Sequence, residues 1–213
     1  MNPVNLRALT GHRLFWPGVT LLLLCLLNAW FNPHFFHLDI RNGHLYGSLI
    51  DILNRAAPLM LVSLGMTLVI AVGGIDISVG AVVAISGAIA ASLVGGTLVV
   101  QNGLPVYVTK VPLLLALLAA VGAALVCGLW NGLLVAGAGM QPIIATLILM
   151  VAGRGVAQLI TGGQIITVYY EPFFFVGNGY LFGLPFGLYI AAAVLGLLLL
   201  LMHRTALGLF VVA

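Results

Sequence analysis

An aspartate and a serine, Asp76 and Ser78, lie between two strongly apolar segments of the sequence, shortly after the pair Gly73 and Gly74. A charged side chain at the centre of a membrane span costs about 2.5–3.5 kcal/mol, so this carboxylate needs a partner or water. Two interpretations remain open. Asp76 caps the following helix by accepting N–H bonds from its first turn, or the broken backbone lies beside an aqueous pathway, where irregular structure is tolerated.

A second, largely polar stripe lies within one apolar segment, at Thr146, Met150, Arg154, Gln158 and Thr161, of which Met150 is the one apolar member. Spacings of three and four residues place side chains on one face of a helix. This stripe indicates a face turned to a water-filled cavity or to another helix, although Arg154 could instead extend to the membrane interface. The side chains that we predict to line a pathway are those of Asp76, Ser78, Thr146, Arg154 and Gln158.

Other polar residues favour plainer interpretations. His34, His37 and His44 lie near Asp39, but their spacing is loose and is typical of an interfacial loop, so we predict no metal site. Asn131 is interpreted as a hydrogen-bonding residue between packed helices. The sequence contains no phosphate-binding glycine loop, serine elbow or HExxH motif, and we therefore predict no catalytic residue, no cofactor and no ATP hydrolysis by this chain.

The composition identifies the solvent of these residues. Of 213 residues, 63% are hydrophobic and 5% are charged, with a mean hydropathy of +1.26. A soluble domain carries about 25% charged residues, so a chain this poor in charge has the lipid bilayer as its main solvent. The formal charge is +3, and the basic residues are scattered, which excludes a nucleic-acid-binding patch.

The apolar runs are long enough to cross a bilayer, which takes about 20 residues in a helix. We predict six spans, at 14–30, 56–72, 77–100, 112–136, 143–160 and 186–202. Because the runs are continuously apolar and do not alternate, they exclude a transmembrane barrel. The predicted fold is an all-α, polytopic transmembrane helix bundle in a single domain, 1–213. Its two longer loops, 31–55 and 161–185, then lie on one side of the membrane.

Several sequence blocks together resemble the membrane subunits of ribose-type bacterial ABC sugar importers, and the likeness covers residues 48–208. The blocks are GMTLVIAVGGIDISVG (65–80), WNG (130–132), QPIIATL (141–147) and RTALG (204–208). Two more, IDILNRAAP (50–58) and MVAGRGVAQLIT (150–161), are most similar to the galactofuranose permease branch of that family.

The resemblance implies a permease subunit of the bacterial inner membrane, with a cytoplasmic N-terminus and no enzymatic activity of its own. It implies a translocation path formed with a second permease chain, driven by ATP-binding cassette subunits. A periplasmic sugar-binding protein would deliver a monosaccharide. Arg7 and Arg13, which flank the first span, also favour the cytoplasmic N-terminus.

The sequence departs from the family pattern at its C-terminal end. Family members have roughly ten spans and continue past the RTxxG segment into a cytoplasmic coupling helix, whereas this sequence ends at Ala213. We therefore expect the N-terminal part of a permease, incomplete at its C-terminus. Two alternatives stay open, an ATP-independent channel or secondary carrier, and a truncated remnant that inserts without transporting.

Overall fold

The computed structural model describes residues 15–41, 44–95, 97–101, 104–205 and 208. Helices account for most of these residues, which confirms the predicted all-α fold class. In chain order they are α1 (Phe15–Phe31), α2 (Ser48–Ala71), α3 (Val79–Val94), α4 (Leu113–Gly132), α5 (Pro142–Thr161), α6 (Glu171–Asn178) and α7 (Phe186–Arg204). A π-helical turn, Leu133–Gly137, extends α4.

Within the described part of the chain, three small antiparallel hairpins connect the helices. They pair β1 (Asp39–Arg41) with β2 (His44–Tyr46), β3 (Thr97–Gln101) with β4 (Leu104–Val108), and β5 (Tyr180–Leu181) with β6 (Leu184–Pro185). Each hairpin is local in sequence and lies between two helices, so none joins distant parts of the chain into a larger sheet.

Four of the helices are long and apolar enough to cross a membrane, namely α2, α4 with its π turn, α5 and α7. The other two helices that fall on predicted spans are shorter, with 17 residues in α1 and 16 in α3. Each of the six apolar runs thus contains a helix, while the number of crossings stays a prediction. The first run begins at Leu14, and Leu14, Arg7 and Arg13 lie outside the described residues.

The bounds of two helices differ from the predicted spans by more than two residues, when the π turn is counted with α4. Helix α2 begins at Ser48 instead of residue 56, so that Asp51 and Arg55 lie in its first two turns. Polar residues are tolerated at a helix end, and an acidic residue there interacts favourably with the helix dipole. Helix α3 ends at Val94 instead of residue 100, because Gly95 interrupts it and the β-branched segment that follows pairs as a strand.

Helix α3 is the centre of the packing and contacts both α4 and α5, while α2 packs against α7. The contact between α3 and α5 depends on Gly153, since a Cβ built there would lie 3.0 Å from Cβ of Ala81 and 3.2 Å from Cδ1 of Ile85. Small residues allow helices to approach closely in lipid, where van der Waals contact drives association. The buried residues accordingly include many alanines and few large side chains.

Candidate functional site

The junction between α2 and α3 is the irregular segment that positions Asp76 and Ser78. Helix α2 ends at Ala71, and Gly73 adopts a left-handed conformation with φ of 74°. Its N–H and that of Gly74 donate to the last carbonyl groups of α2, at 2.9 Å in both cases. Glycine reaches this conformation without a steric penalty, so the Gly-Gly pair explains why the helix stops here and the chain runs irregularly to Ser78.

Asp76 accepts two hydrogen bonds within the junction. Its Oδ1 accepts hydrogen bonds from the backbone N–H of Ser78 at 2.7 Å and from the Ser78 hydroxyl at 2.6 Å. Such a turn between an aspartate side chain and the backbone two residues later orders a loop. Ser78 is fully buried and Asp76 is half-buried. Asp76 therefore bonds to the residue before α3, and the predicted bonds to the first turn are not the ones observed.

Two other helices contribute polar side chains to the same junction. Asn131 on α4 donates from Nδ2 to Oγ of Ser78 at 3.0 Å. Thr146 on α5 accepts at Oγ1 from the N–H of Ile77 at 3.3 Å, and the same oxygen lies 2.9 Å from the carbonyl oxygen of Pro142. We call Asp76, Ser78, Asn131 and Thr146 the junction network. It ties the break after α2 to α4 and α5.

The structure separates Thr146 from Arg154 and Gln158, which the sequence placed on one face. Thr146 is 4% exposed and lies against the junction, whereas Arg154 and Gln158 are exposed on α5. With 3.6 residues per turn, each step of four residues rotates by about 40° beyond a full turn, so three steps move a side chain by about 120°. The predicted single polar face is therefore split between a buried and an exposed part.

An open groove of ≈ 460 Å³ begins at the junction and lies between α2, α3 and α4. We call it the junction groove. Its polar residues are Asp76, Ser78 and Asn131, and its other lining residues are Leu61, Val62, Gly65, Met66, Val69, Val79, Val82, Val83, Ala124 and Gly128. The Oδ1 atom of Asn131 is buried and has no hydrogen-bond partner among the described residues. The sequence suggested a packing role for Asn131 but gave no sign of this groove.

The two longer loops lie against each other at the other ends of these helices. The N–H of Leu45 donates to the carbonyl oxygen of Gly183 at 3.2 Å, and the rings of His44 and Tyr46 lie 5.4 Å and 5.7 Å from that of Tyr180. Burial raises the pKa of the Tyr180 phenol, and the negative charge of Asp51 raises it further. The hairpins β1–β2 and β5–β6 thus form one surface.

The histidines near Asp39 do not converge on one point. Nδ1 of His37 lies 3.3 Å from Oδ1 of Asp39, and the rings of His34 and His37 meet edge to face at 5.9 Å. His44 instead contacts Tyr180. Among the described residues there is no group of three or more His, Cys, Asp or Glu side chains that could hold a metal ion.

Comparison with known proteins places this arrangement among permeases. Residues 48–213 match the family described as "Branched-chain amino acid transport system / permease component". The chain is 49% identical over 207 residues to the galactofuranose transporter permease protein YtfT of Escherichia coli strain K12, covering 95% of this chain and 57% of that protein. It is 36% identical over 213 residues to the fructose import permease protein FruF of Bifidobacterium longum, covering 97% and 56%.

A ribose relative extends the comparison. The ribose import permease protein RbsC of Escherichia coli strain K12 is 33% identical over 199 residues, covering 92% of this chain and 56% of that protein. The predicted resemblance to ribose-type sugar permeases is thereby confirmed, and the chain spans about half the length of the curated relatives that it matches. No solved structure matches the chain. Together with the four helices long enough to cross a bilayer, these matches make the chain a multi-pass membrane protein.

Proposed function

The chain belongs to the family of branched-chain amino acid transport system permease components, and from this premise we propose that it forms membrane-spanning structure of an ATP-driven monosaccharide importer. The observation that carries the proposal is the 49% identity to a galactofuranose transporter permease. Relatives named for fructose and ribose import also point to sugars. We propose galactofuranose as the substrate, and the bacterial inner membrane as the location.

The polar residues divide into two roles in this proposal. Arg154 and Gln158, which are exposed on α5, supply guanidinium and amide groups that hydrogen-bond sugar hydroxyl groups along the translocation pathway. Asp76, Ser78 and Thr146 belong to the same pathway through the junction network, where they fix the ends of α3 and α5. Ser78 and Thr146, which are buried, are positioning residues, because their hydroxyl groups are already engaged by neighbouring groups.

The partners follow from the same proposal. A permease without a phosphate-binding loop of its own requires ATP-binding cassette subunits as the source of energy. A second permease chain completes the pathway, and a periplasmic sugar-binding protein delivers the monosaccharide. The surface formed by the β1–β2 and β5–β6 hairpins, joined by the bond from Leu45 to Gly183, is our candidate for the docking site of that binding protein.

A chimera tests the proposal. Residues 1–213 replace the corresponding segment of the Escherichia coli galactofuranose permease, in cells that lack the native permease and retain its ATPase and binding protein. We expect uptake of radiolabelled galactofuranose to be restored. It should fall by about tenfold or more in Arg154→Ala, since losing a hydrogen bond to a charged group costs on the order of 1.5–3 kcal/mol, and by about two- to tenfold in Gln158→Ala, since a bond from a neutral amide contributes about 0.5–1.5 kcal/mol. Leu159→Ala, at a neighbouring exposed position, is the control.

Two outcomes would contradict the proposal. The first is a chimera that is present in the membrane in normal amount but takes up no galactofuranose. The second is sugar flux through the purified chain alone in liposomes, with neither ATPase nor binding protein, which would indicate a channel or a secondary carrier.

A further inference from the structure

The junction groove has a polar end and long apolar walls. Asp76, Ser78 and Asn131 lie at one end, and valine, leucine and methionine side chains line the rest. Along α2 the lining runs from Leu61 to Val69, which at 1.5 Å per residue is about 12 Å. A sugar has hydroxyl groups on every side and would leave most of them against apolar walls without partners. The groove therefore suits a molecule with one polar end and an apolar body.

Glycines keep the groove open. Gly65 on α2 and Gly128 on α4 both line it, and a Cβ built at either position has no atom within 4 Å. Small residues in membrane helices usually bring two helices into contact, as Gly153 does between α3 and α5. At Gly65 and Gly128 they instead border space that is not filled by the described residues.

The polar end of the groove lacks a donor. Asn131 is 8% exposed, and its buried Oδ1 has no hydrogen-bond partner among the described residues. The Ser78 hydroxyl already donates to Asp76. Asp76 adds a carboxylate to the lining of the same groove. Two acceptors with a negative charge are complemented by a positively charged group that carries several N–H donors.

The position of the junction indicates that the positively charged group belongs to a lipid headgroup. Asp76 lies between the end of α2 at Ala71 and the start of α3 at Val79, and the ends of membrane helices lie at the depth of the lipid headgroups. The apolar part of the groove extends from there along the helices. We propose that the junction groove binds a phospholipid with a primary ammonium headgroup, of the phosphatidylethanolamine class. Its ammonium group bonds to Asp76 and Asn131, and an acyl chain lies along α2.

Native mass spectrometry of the full chain in dodecyl maltoside tests this site. The probes are dioleoyl phosphatidylethanolamine, phosphatidylcholine and phosphatidylglycerol, which share acyl chains and differ in the headgroup. We expect the ethanolamine lipid to bind at least about tenfold more tightly than the other two, because only its headgroup donates N–H bonds to a carboxylate. Asp76→Asn abolishes this preference, whereas Asp51→Asn, in the first turn of α2 and away from the junction, retains it.

A second pair of variants tests the apolar part without changing a charge. Gly128→Leu fills the groove, and Gly155→Leu places the same side chain on the exposed face of α5, where a Cβ also meets no atom within 4 Å. We expect only Gly128→Leu to lose the ethanolamine lipid. Equal binding of the three lipids, or unchanged preference in both Asp76→Asn and Gly128→Leu, would overturn the proposal. A third outcome would also overturn it: the chain forms a dimer, and Gly128→Leu dissociates the dimer without affecting lipid binding. A second copy of the chain would then occupy the groove.

Discussion

Nδ2 of Asn131 lies 3.0 Å from Oγ of Ser78, although 53 positions separate the two residues in the chain. The Ser78 hydroxyl donates its proton to Asp76, so its oxygen is free to accept from Asn131. Hydrogen bonds in series polarise one another, and a buried series loses more on deletion of one member than a single exposed bond does. The break after α2 is thus held to α4 by a directed chain that runs from an amide through a hydroxyl to a carboxylate.

Removing the middle member of this chain is expected to be costly. In Ser78→Ala the Asn131 amide is left buried without its acceptor, and we expect the free energy of unfolding to fall by about 1–3 kcal/mol. The midpoint of thermal unfolding of the detergent-solubilised chain measures the loss. Ser86→Ala is the matched control, because the partners of the Ser86 hydroxyl among the described residues are carbonyl oxygens of its own helix. Equal losses in the two variants would show that the junction network contributes nothing specific.

The close contact of α3 and α5 predicts a contrast between two glycines on one helix. In Gly153→Ala the new methyl group lies 3.0 Å from Cβ of Ala81, and we expect overpacking to cost about 1–3 kcal/mol. In Gly155→Ala the methyl group meets no atom within 4 Å, so the higher helix propensity of alanine leaves stability unchanged or slightly raised. Thermal unfolding in detergent separates the two, and a loss of similar size in both would contradict the contact.

The outline of this fold could be predicted from the sequence because a continuously apolar run in lipid must satisfy its backbone hydrogen bonds internally, and a helix does so. The exact bounds of the helices were harder to predict from hydropathy. Asp51 and Arg55 lowered the apparent hydropathy of the first turns of α2, which the dipole and the membrane interface nevertheless tolerate. The central residues 98–100 of the strand Thr97–Gln101 are leucine and valine, as apolar as the helix before them, and hydropathy alone does not distinguish the two.

The site was predictable where it depends on local sequence and not where it depends on packing. The Gly-Gly pair before Asp76 predicts a helix break, and α2 ends just before Gly73, which has a positive φ. The stripe on α5 does not form a single face, because each step of four residues rotates by about 40° around the helix axis. The hydrogen bond between Asn131 and Ser78 joins α4 to the residue before α3, and no local sequence pattern predicts it.

The contact between the two longer loops predicts an effect of backbone strain. Gly183 is buried, has φ of 84° and presents the carbonyl oxygen that accepts from Leu45. A side chain is disfavoured at this φ, so Gly183→Ala is expected to weaken the hairpin by about 1 kcal/mol or more. Hydrogen exchange at the Leu45 amide, followed by mass spectrometry, should become faster. Gly177→Ala, in α6 where a Cβ meets no atom within 4 Å, should leave that exchange rate unchanged.

Water at the exposed part of α5 can be detected by single cysteines in a chain whose two native cysteines are replaced by alanine. If Arg154 and Gln158 face an aqueous pathway, Arg154→Cys and Gln158→Cys should react with a charged, membrane-impermeant thiol reagent, because the reactive thiolate forms only where water solvates it. Two control variants should react at least about tenfold more slowly, since a thiol in an apolar medium stays protonated. They are Thr146→Cys, at a position buried at the junction, and Leu159→Cys, at a position that is 81% exposed beside the pathway positions. Labelling at 159 as fast as at 158 would show that the whole face is wet, and no labelling at 154 or 158 would place both side chains against lipid or another helix.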